Sequence, residues 1–387
     1  MRIGIDIRTL SFRRGGISQY TYNLLKNMLR IDSANTYYLF NYNKSPYEWD
    51  NFSGNVKEII LRLPQRYGLG MIWENILVPM ALGKYGMDVW FSPDFTIPRL
   101  LRTRSVITIH DLIFENFHNI RRNKLAADLS TKVEFSVKRC SKIIAVSSFT
   151  CGTILERYKV AAGKVNVIPE AADERFQKIH NPEAIRRVLR RYKIDSEYIL
   201  FVGEISERKN IARLLKAFHV LQRKNKTKNR KLVLAGKVTA DTQKILQEVD
   251  HLGLQSHVLL TGYVPNEDLP FIYNAADLFV FPSLYEGFGI PPLEAMACQV
   301  PVVASSATSI PEVVGNGAIL FDPYSVEDMA EKIDRVLDVN FDRDSLVQQA
   351  LDQAKRFTWE NAAIKTLALF ESLDGGISRT SPSGVVK

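Results

Sequence analysis

Glu286 and Glu294 flank a stretch of glycines and prolines in "LYEGFGIPPLEAMACQVPVVAS" (284–305). Glycine at 287 and 289 lets the backbone pass close to a ligand. Pro291 and Pro292 suit a helix's first turn, because proline has a fixed φ and no N–H. The backbone from Gly287 through Phe288 and Gly289 to Ile290 therefore offers helix-start N–H groups, which favour an anion. A carboxylate at such a place repels a phosphate. It accepts paired hydrogen bonds from hydroxyls, each worth about 1.5–3 kcal/mol when charge-assisted. A sugar or ribose beside a diphosphate meets both demands. The plainer alternative is a solvent-facing loop with Glu294 answering the helix dipole.

Arg208-Lys209, in "FVGEISERKNI" (201–211), follow an apolar run and a turning glycine, Gly203, and precede a helical pattern from about Asn210. Two cations there are placed to hold a diphosphate, or are one surface basic pair among many. Gly15-Gly16 lie between an apolar run at 2–7 and a helical pattern from Ile17. No Gly-Lys-Ser/Thr follows, so a Walker-type loop is excluded. His110-Asp111 close "SVITIHD". The pair invites a metal reading, yet no third ligand lies at a useful spacing, and a structural histidine is the alternative. Asp342-x-Asp344 also looks like a divalent-metal motif. It opens the helical pattern "SLVQQALDQAKRF", where aspartate serves as an N-cap or first-turn residue. No metal and no resident cofactor are expected.

These residues need a scaffold, and short runs rich in Val, Ile and Phe supply one. In the first half they fall at 2–7, 37–42, 58–63, 88–93, 105–111 and 142–147, and in the second at 198–203, 231–236, 257–263, 278–283, 301–305 and 318–323. Near-continuous hydrophobicity marks strands buried on both faces of a parallel sheet. Helical segments such as "ISQYTYNLLKNML" and "IARLLKAFHVLQR" lie between them, which makes βαβ units with right-handed crossovers. The pattern restarts after the polar stretch 170–197, so the boundary is placed near residue 173. The expected fold is α/β, with two doubly wound Rossmann-like domains, 1–173 and 174–357, facing a cleft. Ligands of such sheets bind beyond the carboxyl ends of the strands, where every motif above falls. A terminal helix, 358–374, and a disordered Gly/Ser tail, 375–387, complete the chain.

Composition narrows the class further. Of the 387 residues 46% are apolar and 24% charged, a globular composition with material for more than one core. Arg2, Asp6 and Arg8 in the first eight positions are not a secretory pattern. The longest uncharged run, Ala295 to Pro311, is broken by Pro301 and does not span a bilayer. Three cysteines without metal or disulfide spacing fit a reduced cytosol. The net charge of +9 is lopsided: residues 1–175 hold 25 Lys+Arg against 16 Asp+Glu, and the remainder 26 of each. An acidic partner of the first half is one reading and an ordinary solvated surface the other. Nucleic acid is not expected, since no RNP-type aromatic motif or recognition helix is present.

Taken together, Glu286-x7-Glu294 with its Gly/Pro loop, Lys209 in "RKN", Gly15-Gly16 and the "HD" at 110 resemble the GT-B-type retaining glycosyltransferases. The likeness is to glycosyltransferase family 4, which holds many mannosyltransferases, and its motifs run from residue 15 to about 323. The resemblance implies a nucleotide-sugar donor held by the second domain. The first domain, completed by the helix 358–374, faces the acceptor. Glu294 would bind the ribose, and Glu286 the transferred sugar, with Gly287, Phe288, Gly289 and Ile290 beside it. Lys209 and Arg208 would neutralise the departing diphosphate. Gly15 and Gly16 would approach it from the other domain, and His110 would touch the sugar near the reacting centre.

The expected reaction is retaining, metal-independent hexosyl transfer, with mannose from GDP-mannose as donor. The expected acceptor is a saccharide or polyprenyl-linked saccharide, in cell-surface polysaccharide synthesis. The alternatives are a UDP- or dTDP-sugar transferase, a sugar-nucleotide epimerase, and an inert sugar-nucleotide-binding subunit. Two departures stand out: Glu204 occupies a position where many members have arginine, and the hinge reads "PEAAD" (169–173) in place of "PNG" and an acid. A cytoplasmic protein is expected. Peripheral contact with an anionic membrane would run through residues 125–144 together with Arg99, Arg102, Arg104, Arg121 and Arg122. Acceptor contacts are expected in the segments 42–74 and 95–104.

Overall fold

The computed structural model describes every residue except 13, 14, 50, 51, 53, 54, 63–68, 117–123, 228, 240 and 375–387. The tail from Gly375 and the pair Arg121-Arg122 therefore lie outside the described residues. Two all-parallel sheets form. The first has seven strands: β1 (Arg2–Asp6), β2 (Thr36–Asn41), β3 (Asn55–Ile60), β4 (Val89–Ser92), β5 (Arg104–Ile109), β6 (Lys142–Ala145) and β7 (Val165–Val167), in the order β3-β2-β1-β4-β5-β6-β7. The second has six: β8 (Tyr198–Val202), β9 (Lys231–Ala235), β10 (Val258–Gly262), β11 (Leu278–Phe281), β12 (Val302–Ser305) and β13 (Ile319–Phe321), in the order β10-β9-β8-β11-β12-β13. Strands such as "YILFV" and "LFVF" are buried throughout because helices cover both faces of the sheet. The fold is two Rossmann-like domains, as the alternation of runs led one to expect.

Strand order decides where ligands can sit. In the first sheet the chain winds outward from β1 to β3, then returns to place β4 on the other side of β1. The second does the same with β8 and β11. At each switch two adjacent loops part and leave a crevice beyond the strand ends. Arg8 and Gly15-Gly16 follow β1 and Asp94 follows β4; Arg208-Lys209 follow β8 and Glu286–Glu294 follow β11.

Two elements differ from the sequence pattern. β7 is only "VNV", with asparagine at its centre, and so carries no apolar run to detect. Residues within 42–74, expected to meet the acceptor as loop, include a helical turn at Leu69–Ile72 that continues through a π-helical Trp73–Leu77 into the helix Val78–Tyr85. The helix Trp359–Asp374 crosses back to the first domain. Trp359, Ala362, Ala363 and Phe370 share a core with Ile3, Ile5, Leu24 and Met28. Asp342 caps the helix Arg343–Ala354, its Oδ1 accepting from Ser345 N at 3.0 Å.

The domains meet at Gly287. Its carbonyl accepts hydrogen bonds from Ser147 Oγ at 2.5 Å and Thr150 Oγ1 at 3.0 Å, at the start of the helix Ser148–Tyr158. On its other side the His110 carbonyl oxygen lies 1.7 Å from where a Cβ would stand, and Asp111 Cβ at 2.9 Å. Any side chain there must push the two domains apart. Gly287→Ala is expected to destabilise the protein by about 1–3 kcal/mol, as overpacking does, and to raise the radius of gyration in small-angle scattering. An unchanged midpoint with an unchanged radius would show that this contact does not hold the domains.

Candidate active site

Arg208 and Lys209 sit on a short turn, Glu207–Lys209, between β8 and the helix Ile211–Arg223. Asn210 links turn to helix in the left-handed conformation, φ 59°, which asparagine tolerates better than most residues. Its Nδ2 donates to Pro282 O at 3.1 Å and Pro323 O at 2.8 Å, fixing the turn to the ends of β11 and β13. Leu284 N donates to Arg208 O at 2.9 Å, so the glutamate loop and the cation turn are joined through the backbone as well.

Glu286 is buried at the centre of this junction. Lys209 Nζ lies 2.5 Å from its Oε1 and Arg208 Nη1 2.8 Å from its Oε2. One carboxylate is thus shared by two cations, and the consequences differ for each member. Burial pushes the Glu286 carboxyl up, but Lys209 and Arg208 outweigh it and hold the group below the ordinary carboxylate range. Lys209 is pushed below its ordinary value by burial and by the neighbouring Arg208, which half of an anion does not offset. Arg208 is raised, because Glu286 and Asp111 outweigh its burial. Glu204 is exposed, and its charge raises both cations.

Glu294 lies on the helix Ile290–Ala297, which opens at Gly289 (φ 105°) with no side-chain cap. Burial, with help from Asp173, pushes its carboxyl up to about 7, although Tyr273 and Arg175 act against the shift. Tyr273 OH donates to Oε2 at 2.8 Å. Among the described residues Glu294 makes no ion pair. The two glutamates are therefore unlike: Glu286 is an ionised carboxylate, Glu294 a group balanced between acid and base. Phe288 turns its ring into the core, edge-on to Phe357 at 5.6 Å, so that only its backbone faces the loop. Ser309 Oγ donates to the carbonyls of Glu286 at 2.9 Å and Phe288 at 2.8 Å and sets the loop's curvature.

The first domain supplies the facing wall. A Cβ added at Gly15 or Gly16 would meet nothing within 4 Å, so this loop borders open space at the start of the helix Gly16–Ile31. His110 was expected to touch a sugar. Its Nδ1 is 2.8 Å from Glu170 Oε1 and its Nε2 2.9 Å from the Pro93 carbonyl. A carbonyl only accepts, so Nε2 carries a proton. Glu170 favours a second proton on Nδ1, and the imidazole is raised above its ordinary value although burial opposes this. The ring is fully committed; what His110 turns to Gly287 is its backbone carbonyl. Asp111 points towards the second domain, raised by burial despite the Ile113 N–H and the charge of Arg208. Behind it, Arg8 stacks on Trp73 at 4.2 Å, pairs with Asp6 at 2.6 Å and lies 3.8 Å from Glu74.

The fold brings together Glu286, Arg208, Lys209, Gly287 and the His110 carbonyl. It leaves Glu294 apart with Tyr273, and Gly15-Gly16 at the open edge. Sequence reasoning did not find Glu170, Ser147, Thr150 or Tyr273 as site residues. Glu170 alone left a signal: it falls in the "PEAAD" departure from the usual hinge. Among the described residues no group of three or more His, Cys, Asp and Glu is placed to hold a metal ion.

Comparison with known proteins bears on the family and the fold. Residues 14–176 match the model of "Glycosyltransferase Family 4" and residues 183–353 that of "Glycosyl transferases group 1". The O-antigen chain mannosyltransferase B of Escherichia coli is 32% identical over 294 residues, 76% of each chain. The serotype-specific mannosyltransferase WbdA of Escherichia coli is 35% identical over 274 residues, 67% of this chain and 32% of that protein. HepE from Anabaena, solved in complex with UDP and glucose, has the same fold, with a TM-score of 0.74 at 19% identity over 96% of this chain and 100% of that one. The chain belongs to glycosyltransferase family 4 and is a glycosyltransferase of GT-B architecture.

Proposed function

We propose that this enzyme moves mannose from GDP-mannose onto a saccharide carried by a lipid, with retention and without a metal, in the building of a cell-surface polysaccharide. The observation that carries the proposal is the buried Glu286 held between Lys209 and Arg208 at a strand-order switch. The names of the Escherichia coli relatives support mannose as the sugar.

Breaking the bond between C1 and the donor's phosphate oxygen puts negative charge on the diphosphate while C1 becomes oxocarbenium-like. Lys209 and Arg208, already fixed and charged, meet that charge as it grows, together with backbone N–H groups of the 287–290 loop. Such preorganised charge lowers the barrier because the transition state needs it more than the ground state does. Donor binding draws the two cations towards the diphosphate and frees Glu286 to accept hydroxyls of the sugar. The leaving phosphate oxygen takes the acceptor hydroxyl's proton on the face it departs from, and the acceptor oxygen bonds to C1 on that same face. Glu294, once ionised, accepts the two ribose hydroxyls. His110 acts as a positioning residue, its ring anchored by Glu170 and Pro93 and its carbonyl set against the glutamate loop.

A uridine nucleotide is the second reading, favoured by the UDP and glucose in HepE. Thermal shift in EDTA against GDP, UDP, dTDP and ADP separates them, since a ligand at 100 times its Kd adds about 2.7 kcal/mol. GDP is expected to be the strongest, and no shift with any of them would sink the nucleotide-sugar reading. Lys209→Ala is expected to lower kcat by about 10²–10³-fold, the scale of losing one transition-state charge partner, with nucleotide affinity nearly kept. A loss of affinity with no turnover in the parent protein would favour an inert sugar-nucleotide-binding subunit.

Glu294 sets a pH dependence whose sign is fixed. Its folded value of about 7 lies above the ordinary 4.5. Stability contributed by the neutral acid is complete below 4.5 and lost as pH rises through 7. Nucleotide binding needs the ionised form, so affinity should climb from pH 6 to 8 and then level. In Glu294→Gln that slope should vanish, with affinity about tenfold lower and the unliganded protein more stable than the parent at pH 8. A parent slope that survives in the variant would assign it to another group.

A further inference from the structure

The chain enters the second domain through residues 168–179, between β7 and the helix Pro182–Arg191, and this crossing is held from both sides. From the first domain, Lys26 Nζ lies 2.5 Å from Glu174 Oε1 and Arg30 Nη1 3.4 Å from Oε2. Lys26 and Arg30 are four residues apart on the helix Gly16–Ile31, so one face of that helix meets the crossing. Glu174 is exposed, and exposed pairs of this kind are worth little singly. The turn braces itself: Arg175 Nε and Nη2 donate to Asp173 Oδ1 at 2.8 Å and Oδ2 at 3.2 Å, and Phe176 N donates to the Asp173 carbonyl at 3.0 Å.

The firmer hold comes from the second domain, through the helix Leu269–Asn274. Asn274 Nδ2 donates to Gln177 O at 2.9 Å, and Asn274 Oδ1 accepts from Ile179 N at 2.8 Å. The buried Phe176 ring stands edge-on to Tyr273, 5.7 Å between centroids. Tyr273 is itself fully buried, and its hydroxyl donates to Glu294 Oε2 at 2.8 Å, with the Pro291 carbonyl more distant at 3.4 Å. The Gln177 N–H also reaches Cys298, which closes the helix that carries Glu294. The crossing therefore touches both the tyrosine that holds Glu294 and the far end of Glu294's own helix.

Among the described residues the Glu294 carboxylate has no hydrogen-bond partner besides Tyr273. Unheld, its rotatable side chain would have to be ordered when a ligand arrives, at a cost to affinity. Held through one lone pair of Oε2, it keeps the other lone pair and all of Oε1 for hydroxyls. We propose that Tyr273 is a positioning residue for nucleotide binding: it orients Glu294 towards the ribose and ties that orientation to the place of the crossing segment through Phe176. The proposal rests on the ribose role given to Glu294 above. Four groups face that carboxyl: Tyr273, Asp173 and Arg175 of the crossing, and Cys298 on its own helix. Tyr273 and Arg175 favour the ionised form and Asp173 the neutral one, while Cys298, pushed up by burial and by Glu294, stays a neutral thiol.

The experiment is calorimetric titration of GDP into the full chain from pH 6 to 9, with UDP in its place if the parent protein prefers it. At pH 7 Tyr273→Phe should weaken binding about fivefold, the scale of one net hydrogen bond. The pH at which affinity climbs should also move upward, because the phenol no longer favours the ionised carboxylate. In a Glu294→Gln background the same change should alter affinity by less than about twofold, since a residue acting only through Glu294 has nothing left to act on. Phe176→Leu should weaken binding at least about twofold and displace the profile in the same direction, but add nothing to Tyr273→Phe. It also decides the case in which Tyr273→Phe does not fold. A loss equal at every pH, or one that persists in Glu294→Gln, would make Tyr273 a packing residue and overturn the proposal. Phe176→Leu with parent affinity would overturn the tie to the crossing. A parent protein that binds no nucleotide sinks the ribose reading and this proposal together; a parent that binds, with Tyr273→Phe unchanged, sinks this proposal alone.

Discussion

A single buried carboxylate shared by two cations organises the second domain's crevice. Without Glu286, Lys209 and Arg208 would lie side by side with only the smaller influences of Asp111 and Glu204 against their repulsion, and Lys209, already lowered by burial and by Arg208, would be lowered further. With it, the cations stay charged and in place before any ligand arrives. Removing one member of a buried charged group exposes the others to an uncompensated penalty of several kcal/mol. This requirement ties together the end of β8, the end of β11 and the Asn210 bridge between them. The parallel sheet supplies the adjacency: only neighbouring strands at a switch leave two such loops side by side.

That arrangement would remain half a site without the other domain. Gly287 is the point at which the halves touch, and the contact is polar as well as tight: two hydroxyls of the first domain converge on its carbonyl while the His110 carbonyl presses against its α-carbon. The same loop therefore carries Glu286 and senses the position of the facing domain. Glu312 extends the contact, its carboxylate accepting from Ser148 N at 3.2 Å at the start of the Ser148–Tyr158 helix, where an anion is favoured. The contact is partly apolar as well: Val146 joins the second domain's core and the Phe149 ring meets Tyr285 edge-on at 5.6 Å.

Much of this was legible in the sequence, for identifiable reasons. Strands buried on both faces advertise themselves as apolar runs, so twelve of the thirteen strands were visible; β7 was not, because three residues centred on Asn166 form no pattern. The cation turn and the glutamate loop could be assigned together because each follows such a run. Their pairing could not be read, since residues 209 and 286 meet only through the strand order β8-β11. The inequality of Glu286 and Glu294 was equally hidden, because it depends on Tyr273, Asp173 and Arg175 arriving from elsewhere in the chain. The helical run 69–85 was missed for another reason: its apolar residues point both ways, and a strip that is hydrophobic on two sides lacks the one-sided period that marks a surface helix.

The two departures from the family pattern have one physical sense. Glu204 stands where an arginine is common, and Glu170 replaces part of the usual hinge; each places a carboxylate beside cations of the site. Glu170 raises the His110 imidazole above its ordinary value, against its burial, and anchors the loop whose carbonyl meets Gly287. Glu204, the smallest of the named influences on each, raises Arg208 and Lys209, although burial and Arg208 still leave Lys209 below its ordinary value. The loss of one positive charge at position 204 therefore need not weaken the diphosphate site in proportion. The Glu204 carboxylate favours the charged forms of the cations that remain, and being exposed it interacts weakly through water with an arriving phosphate. Charge at this site is better counted by which cations are kept ionised and fixed than by the formal sum of its residues.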